Sequence, residues 1–176
     1  MNRTLKNGAI LRLRAPEPSD VDTLYIWENS PEMWDYGFFQ APYSRQQIWE
    51  YIRDYDSNPL RSGQLRLIIE VGGEPAGSVD LYDIDTANRR AMVGVMVSAR
   101  FRGMGCAAAA LDLMAEYAAG PLALSQLAAT VAEDNEASAA LFAKAGYELT
   151  ATLPRWVRRG SVFVSALIFQ KQLPGS

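Results

Sequence analysis

The order of apolar runs, turn residues and helix caps predicts a mixed α/β domain with an antiparallel meander in its middle. Three observations carry that prediction. Gly72-Gly73 separates two apolar runs as a hairpin turn would. A Gly-rich turn, Arg102-Gly103-Met104-Gly105, leads straight into an Ala-rich segment from Cys106 to Ala119. Arg159-Gly160 joins two final runs that read as a second hairpin. Together they give the order β-α-α-β-β-β-α-β-α-β-β, a sheet that is mostly antiparallel and flanked by helices.

Each element has a local reason. Ile10 to Arg14 alternates apolar and basic residues, the period of a half-buried strand. Pro16 and Pro18 stop it, and Ser19-Asp20-Val21-Asp22 reads as the cap of a helix carrying Val21, Leu24 and Tyr25 on one face. Ser44 and Gln47 have the spacing of a capping box for a second helix. Ile48, Tyr51, Ile52 and Tyr55 form its apolar stripe, and Asn58-Pro59 is expected to end it. Between these helices lies a loop rich in aromatics: Trp34, Tyr36, Phe38, Phe39 and Tyr43. Strands are expected over 64–71, 76–84 and 91–98, then the helix from Cys106 that Gly120-Pro121 terminates. A strand over 127–132 precedes a helix from about Asn135 to Lys144, with Gly146 as its C-terminal cap.

Length and charge limit the function. The 176 residues suit one domain spanning 1–176, and no repeat or low-complexity linker divides them. Seventeen basic and twenty acidic side chains give a net charge of -3. That balance argues against a nucleic-acid partner, because phosphate-backbone binding draws on a basic surface. The chain has no histidine, which excludes the usual Ser-His-Asp and Cys-His nucleophiles and any His-containing metal site. Acid–base work falls to Asp, Glu, Tyr, Lys, Cys, water or the backbone. No apolar run reaches the ~18 residues that span a bilayer, and the N-terminus lacks a signal-peptide core. The expectation is a cytoplasmic protein with no membrane partner, and the single cysteine, Cys106, fits a reducing compartment.

The turn at 102–105 is the motif that carries chemistry. A strand running into glycines and then a helix turns backbone N–H groups toward an anion, with the helix dipole favouring negative charge. A phosphate is the natural guest, and a tight turn with nothing bound is the plain alternative. No Gly-Lys-Ser/Thr follows, so it is not a P-loop, and the spacing is not that of a dinucleotide fingerprint.

Arg102-Gly103-Met104-Gly105-Cys106-Ala107 resembles the R-x-x-G-x-A/G element of the GNAT superfamily, the acyl-CoA-dependent N-acyltransferases. Downstream, Val131 to Ser138 and Leu141-Phe142-Ala143-Lys144-Ala145-Gly146-Tyr147 resemble that family's second motif. The agreement runs from Ile10 to about Phe169, and both ends of the chain resemble the branch that acetylates ribosomal-protein N-termini and polyamines. The resemblance implies acetyl-CoA as co-substrate, with no metal. It implies a pyrophosphate on Arg102, Gly103, Met104, Gly105, Cys106 and Ala107. It also implies a pantetheine arm along the backbone of Val95 to Val97, and a further contact at Asn135. Asn135 equally suits the N-cap of the helix that follows. Gly94 inside its strand is consistent with a bulge or close approach where the sheet opens.

The implied reaction is attack of a neutral amine on the thioester, with a backbone N–H near Met96 or Val97 as the oxyanion donor. Alternation puts Asp80 and Tyr82 on one strand face, where Asp80 takes the amine proton through water or holds a cationic acceptor; a solvated face is the plain reading. Glu28, Glu32, Trp34, Tyr36, Phe39 and Tyr43 form the expected acceptor pocket for a small-molecule or peptide amine, with core packing as the alternative. Cys106 is expected to be a packing residue. Arg155, Arg158 and Arg159 make a basic patch that is either a solvated hairpin or a contact for phosphate or a second subunit. A homodimer is left open. The family commonly has Tyr where this chain has Phe142, so its usual acid for the departing thiolate is absent; water is the expected proton source, with Tyr82 or Tyr147 as weaker candidates. Acyl-CoA binding without turnover is the alternative reading.

Overall fold

A computed structural model describes residues 1–31, 41–56 and 58–174. Eight strands form one sheet: β1 (Asn2–Thr4), β2 (Ile10–Arg14), β3 (Leu65–Val71), β4 (Glu74–Asp85), β5 (Arg90–Val97), β6 (Gln126–Ala132), β7 (Glu148–Arg159) and β8 (Val162–Gln172). Their order across the sheet is β1-β2-β3-β4-β5-β6-β8-β7, and every pairing is antiparallel except β5 with β6. The helices described are α1 (Val21–Glu28), α2 (Arg45–Arg53), α3 (Pro59–Ser62), α4 (Cys106–Ala119) and α5 (Glu136–Lys144). The expected mixed, mostly antiparallel α/β fold is present. Among the described residues, no helix is long and apolar enough to cross a membrane.

The two sheet faces are covered differently. Leu67, Ile69, Val79, Leu81, Ala91 and Val93 pack with Ala110, Leu111 and Met114 of α4 and Phe142 of α5 in the main core. The alternate position Ile68 points the other way, into a smaller cluster with Leu24 of α1 and Ile48 and Ile52 of α2. Each element begins and ends where its residues allow. Ser44 and Gln47 close the capping box of α2, with Gln47 N donating to Ser44 Oγ at 3.1 Å and Ser44 N to Gln47 Oε1 at 2.8 Å. Gly72 and Gly73 both have positive φ, +61° and +86°, as a two-residue hairpin twisted with its strands requires.

Four local expectations are corrected. Asn58-Pro59 starts the short helix α3 rather than ending α2, because Asn58 Oδ1 accepts from Leu60 N and Pro suits the first helical position. The helix α2 ends at Arg53, so Tyr55 lies beyond it. Asp20 does not cap α1 with its side chain. Arg14 takes its carboxylate through Nη1 at 2.7 Å and Nη2 at 2.8 Å, and the Arg14 Nε reaches Glu70 at 2.6 Å. Gly94 is not a bulge: the β4–β5 register runs through it unbroken, Asp80 opposite Gly94.

Candidate active site

The site begins where the sheet opens. Strands β5 and β6 pair only at Arg90–Gln126, Ala91–Leu127 and Met92–Ala128, and beyond Met92 they part. The stretch 93–97 keeps β4 on its other side, up to Val97 opposite Gly77. Parallel strands that separate leave backbone N–H and C=O groups facing the gap, where an extended ligand could add as a strand does. Val95 and Val97 stand on this edge. The Val97 carbonyl accepts from Arg102 Nε at 3.1 Å, which ties the strand end to the turn that follows.

A glycine that the sequence reading passed over shapes this end. A Cβ on Gly77 would overlap the Met96 carbonyl oxygen and lie 3.0 Å from Val97 Cα. The close approach expected at Gly94 therefore belongs to Gly77, which lets Met96 and Val97 bend in toward β4. A glycine within a strand was the available signal. At Gly94 a Cβ would only touch Tyr82 Cε1 at 3.8 Å, so its missing side chain leaves room on the sheet face instead.

After a 3-10 turn at Ala99–Phe101 the chain enters the glycine turn. Gly103 and Gly105 have φ of +75° and +83°, conformations that L side chains rarely adopt, and nothing lies within 4 Å of where their Cβ atoms would be. Open space above a glycine turn at the start of a fourteen-residue helix fits a phosphate group. Gly105 is the N-cap of α4 and offers no side chain to its first N–H groups, while Met104, Cys106 and Ala107 continue the run. Cys106 is 1% exposed, and burial pushes its thiol pKa up, so it packs rather than reacts. Asn135 caps α5 by accepting from Ser138 N at 3.1 Å, which uses its oxygen and leaves its amide nitrogen to another partner.

The opposite face of β4 and β5 carries the acceptor candidates that can be described. Asp80, Tyr82 and Glu28 are brought together there, and Trp34, Tyr36, Phe39, Glu32 and Phe38 lie outside the described residues. Asp80 is not a freely solvated side chain. Its Oδ1 accepts from Arg66 Nε at 2.5 Å and its Oδ2 from Ser78 Oγ at 3.4 Å. Arg66 also donates from Nη1 to Glu28 Oε1 at 2.6 Å. Arg66 was missed because a charged residue inside a strand reads as solvent-facing; its partners are remote in sequence. Burial raises the Tyr82 hydroxyl, with nearby carboxylates adding to the shift. Asp85 is not part of this group: it accepts from Asn88 and Arg90 and closes the β4–β5 turn, while Asp83 is exposed.

Phe142 is 4% exposed, edge-on to Tyr147 at 5.2 Å and stacked with Phe169 at 6.2 Å. The Tyr147 hydroxyl is buried with no hydrogen-bond partner, and burial drives its pKa upward, which makes it a weak proton donor. The basic patch resolves into separate contacts. Arg159 pairs with Asp134 at 3.0 Å, Arg158 donates to the Gly160 carbonyl, and the Arg155 guanidinium lies 5.8 Å from the Phe163 ring centre. Among the described residues no cluster of His, Cys, Asp or Glu could hold a metal ion.

A splayed β5–β6 pair beside a glycine turn defines an acyl-CoA-binding α/β fold. Residues 11–148 match the acetyltransferase (GNAT) domain, and the chain belongs to that family. It is an acetyl-CoA-dependent N-acetyltransferase. It is 28% identical over 143 residues to spermidine N(1)-acetyltransferase of Escherichia coli (strain K12), covering 81% of this chain and 75% of that one. It is equally 28% identical, over 153 residues, to Bacillus subtilis (strain 168) YdaF, which carries the name of a ribosomal N-acetyltransferase; 82% and 81% of the two chains are covered. Its fold is similar to that of Vibrio cholerae spermidine N-acetyltransferase, solved with CoA and spermine, at a TM-score of 0.83 and 20% identity over 92% and 95% of the chains.

Proposed function

We propose that the chain moves the acetyl group of acetyl-CoA onto a primary amine of a cationic acceptor, a polyamine-like small molecule or a protein N-terminus. One observation carries the reading: the gap between β5 and β6 opens onto the glycine turn at one end and runs past Gly94, beside the Glu28–Arg66–Asp80 cluster. Donor and acceptor sites so placed could meet across β5. The similarity to a spermidine N(1)-acetyltransferase favours amines that carry further positive charge.

The thioester supplies an activated acyl group, and this chain's residues orient it. Gly103, Met104, Gly105, Cys106 and Ala107 present N–H groups to the pyrophosphate, with Arg102 beside them. Val95 and Val97 hold the pantetheine arm, and Asn135 adds its amide nitrogen. The Met96 carbonyl turns toward Gly77, so the Val97 N–H, on the opposite side of the same planar peptide, faces away from β4 and polarises the thioester carbonyl where charge develops. Holding the two reactants together supplies much of the acceleration. Asp80, engaged by Arg66 and Ser78, holds the acceptor rather than deprotonating it. The amine proton passes to water, and water protonates the thiolate, whose ordinary pKa near 8.5 makes it a tolerable leaving group unaided. With Phe142 unable to donate a proton, turnover is slow but measurable.

The continuous eight-stranded sheet supports a single domain over 1–176. The reading puts the protein in the cytoplasm, where acetyl-CoA and amines occur together. The test is CoA release across a panel of polyamines, monoamines and peptides. Release with cationic amines is expected. Tight acetyl-CoA binding without release from any amine would replace the enzyme with an acyl-CoA sensor.

A further inference from the structure

The acceptor side holds a charge arrangement that acetyl transfer itself does not require. Arg66, with its side chain 26% exposed, joins Glu28 at the end of α1 to Asp80 on β4 through one guanidinium. Its backbone is fixed as well. The Tyr55 hydroxyl accepts from Arg66 N at 2.8 Å and donates to Arg66 O at 3.1 Å. The Tyr51 ring centre lies 5.7 Å from the guanidinium carbon. Burial, together with the nearby carboxylates, pushes the Tyr51 hydroxyl up to about 12, so it stays neutral beside them. Register places Arg66 opposite Asp80 and Asp80 opposite Gly94, a single row across three strands that ends on the open glycine.

Two carboxylates and one guanidinium leave a single net negative charge. A reacting amine must be neutral to attack, so it does not satisfy that charge. A second, protonated nitrogen on the same acceptor would. We propose that Arg66 is a positioning residue for acceptor choice: it fixes Glu28 and Asp80 as a shelf of one net charge beside Gly94, which selects acceptors carrying an ammonium group besides the amine that reacts. The proposal rests on the acceptor side proposed above. A guanidinium suits this task because its planar fork binds two carboxylates in fixed directions, whereas an ammonium is a point charge. Taking it away would leave two partly buried like charges near each other, and their orientation would be lost.

The test compares 1,4-diaminobutane with 1-aminobutane, which differ only in the second nitrogen. Wild type is expected to favour the diamine in kcat/KM. Arg66→Gln and Glu28→Gln should each reduce that ratio by about tenfold, equivalent to ~1.4 kcal/mol. Arg66→Lys should recover part of it. The change should fall in KM for the diamine, while the Kd for acetyl-CoA, measured by calorimetry, stays within about twofold of wild type. A merely structural role would move acetyl-CoA binding and both amines together, and that result overturns the proposal. So does a wild type that uses both amines equally, or an unchanged ratio in Glu28→Gln and Arg66→Lys, the milder variants if Arg66→Gln does not fold. CoA release from no amine at all would instead overturn the acceptor reading on which the shelf depends.

Discussion

Two glycines on neighbouring strands do opposite work, and substitution separates them. At Gly77 a methyl group would meet the Met96 backbone, which has no flexible end to move aside. Gly77→Ala should cost about 1–3 kcal/mol, the usual range for forcing atoms into a packed site, and should raise KM for acetyl-CoA because the strand edge at 95–97 moves with Met96. At Gly94 the same methyl makes an ordinary contact with Tyr82. Gly94→Ala should leave stability equal or up to ~1 kcal/mol higher, since glycine weakens a strand interior. It should raise KM for the amine alone. Denaturant midpoints and two-substrate kinetics on both variants check this, and a stable Gly77→Ala with unaltered acetyl-CoA kinetics would contradict it. Phe142 gives a third case. Its ring is enclosed by Tyr147 and Phe169, and Tyr147 already has a buried hydroxyl without a partner. A second hydroxyl from Phe142→Tyr, if left unpaired, should cost about 1–3 kcal/mol. A thermal midpoint equal to wild type, with faster CoA release, would instead mean that the new hydroxyl reaches the sulfur.

At the scale of elements, Arg14 joins β2 to the turn before α1 and to β3, through Asp20 and Glu70. Desolvation pushes the Asp20 carboxyl pKa up, but the Arg14 hydrogen bond, the Glu17 backbone N–H and the Arg14 charge outweigh it, and the net shift is downward. A carboxyl lowered in the folded state adds stability that is fully present above its unfolded pKa, about 3.9. That stability is lost as pH falls through the lower folded value. Asp20→Asn should therefore be less stable than wild type at pH 7, and the gap should narrow below about pH 4. Thermal midpoints of both proteins from pH 7 to 2.5 would show it; a gap independent of pH would contradict the pairing. Elements with local punctuation were legible in the sequence. Gly105 and Gly120-Pro121 bracket α4, and its bounds, Cys106 and Ala119, follow from them. Strand β1, three residues long, has no pattern to read, and α3 begins at a proline that looked like a stop. At the site, the glycine turn and the Asn135 cap were legible because their reasons lie within a few residues. Gly77 and Arg66 were not, because what they meet comes from another strand or helix.

For the whole molecule, the β7 edge of the sheet carries exposed apolar side chains among the described residues. Strand β7 ends the sheet, and Leu149 and Trp156 on it, with Val162 and Phe163 on β8, are all at least half exposed. Edge strands with apolar side chains invite pairing with another chain, so a second copy is the expected occupant. Trp156→Lys should shift the molecular mass measured by light scattering toward the monomer, and a mass unchanged from wild type would remove that edge from consideration. Charge gives the last expectation. The chain carries a net charge of -3, and the shelf beside Gly94 adds a local negative charge on the acceptor side. A cationic acceptor is drawn both by the overall field and by the shelf. The overall field is screened within a Debye length of about 8 Å at physiological ionic strength, while a partly buried pair is screened less. KM for a diamine at saturating acetyl-CoA should therefore rise severalfold between ~0.02 and ~0.5 M salt and then level off, the residual preference over a monoamine reflecting the shelf. Glu28→Gln should flatten that residual preference while keeping the initial rise. A KM independent of salt would mean that the acceptor is recognised by shape and apolar contact, and the cationic assignment would fall with it.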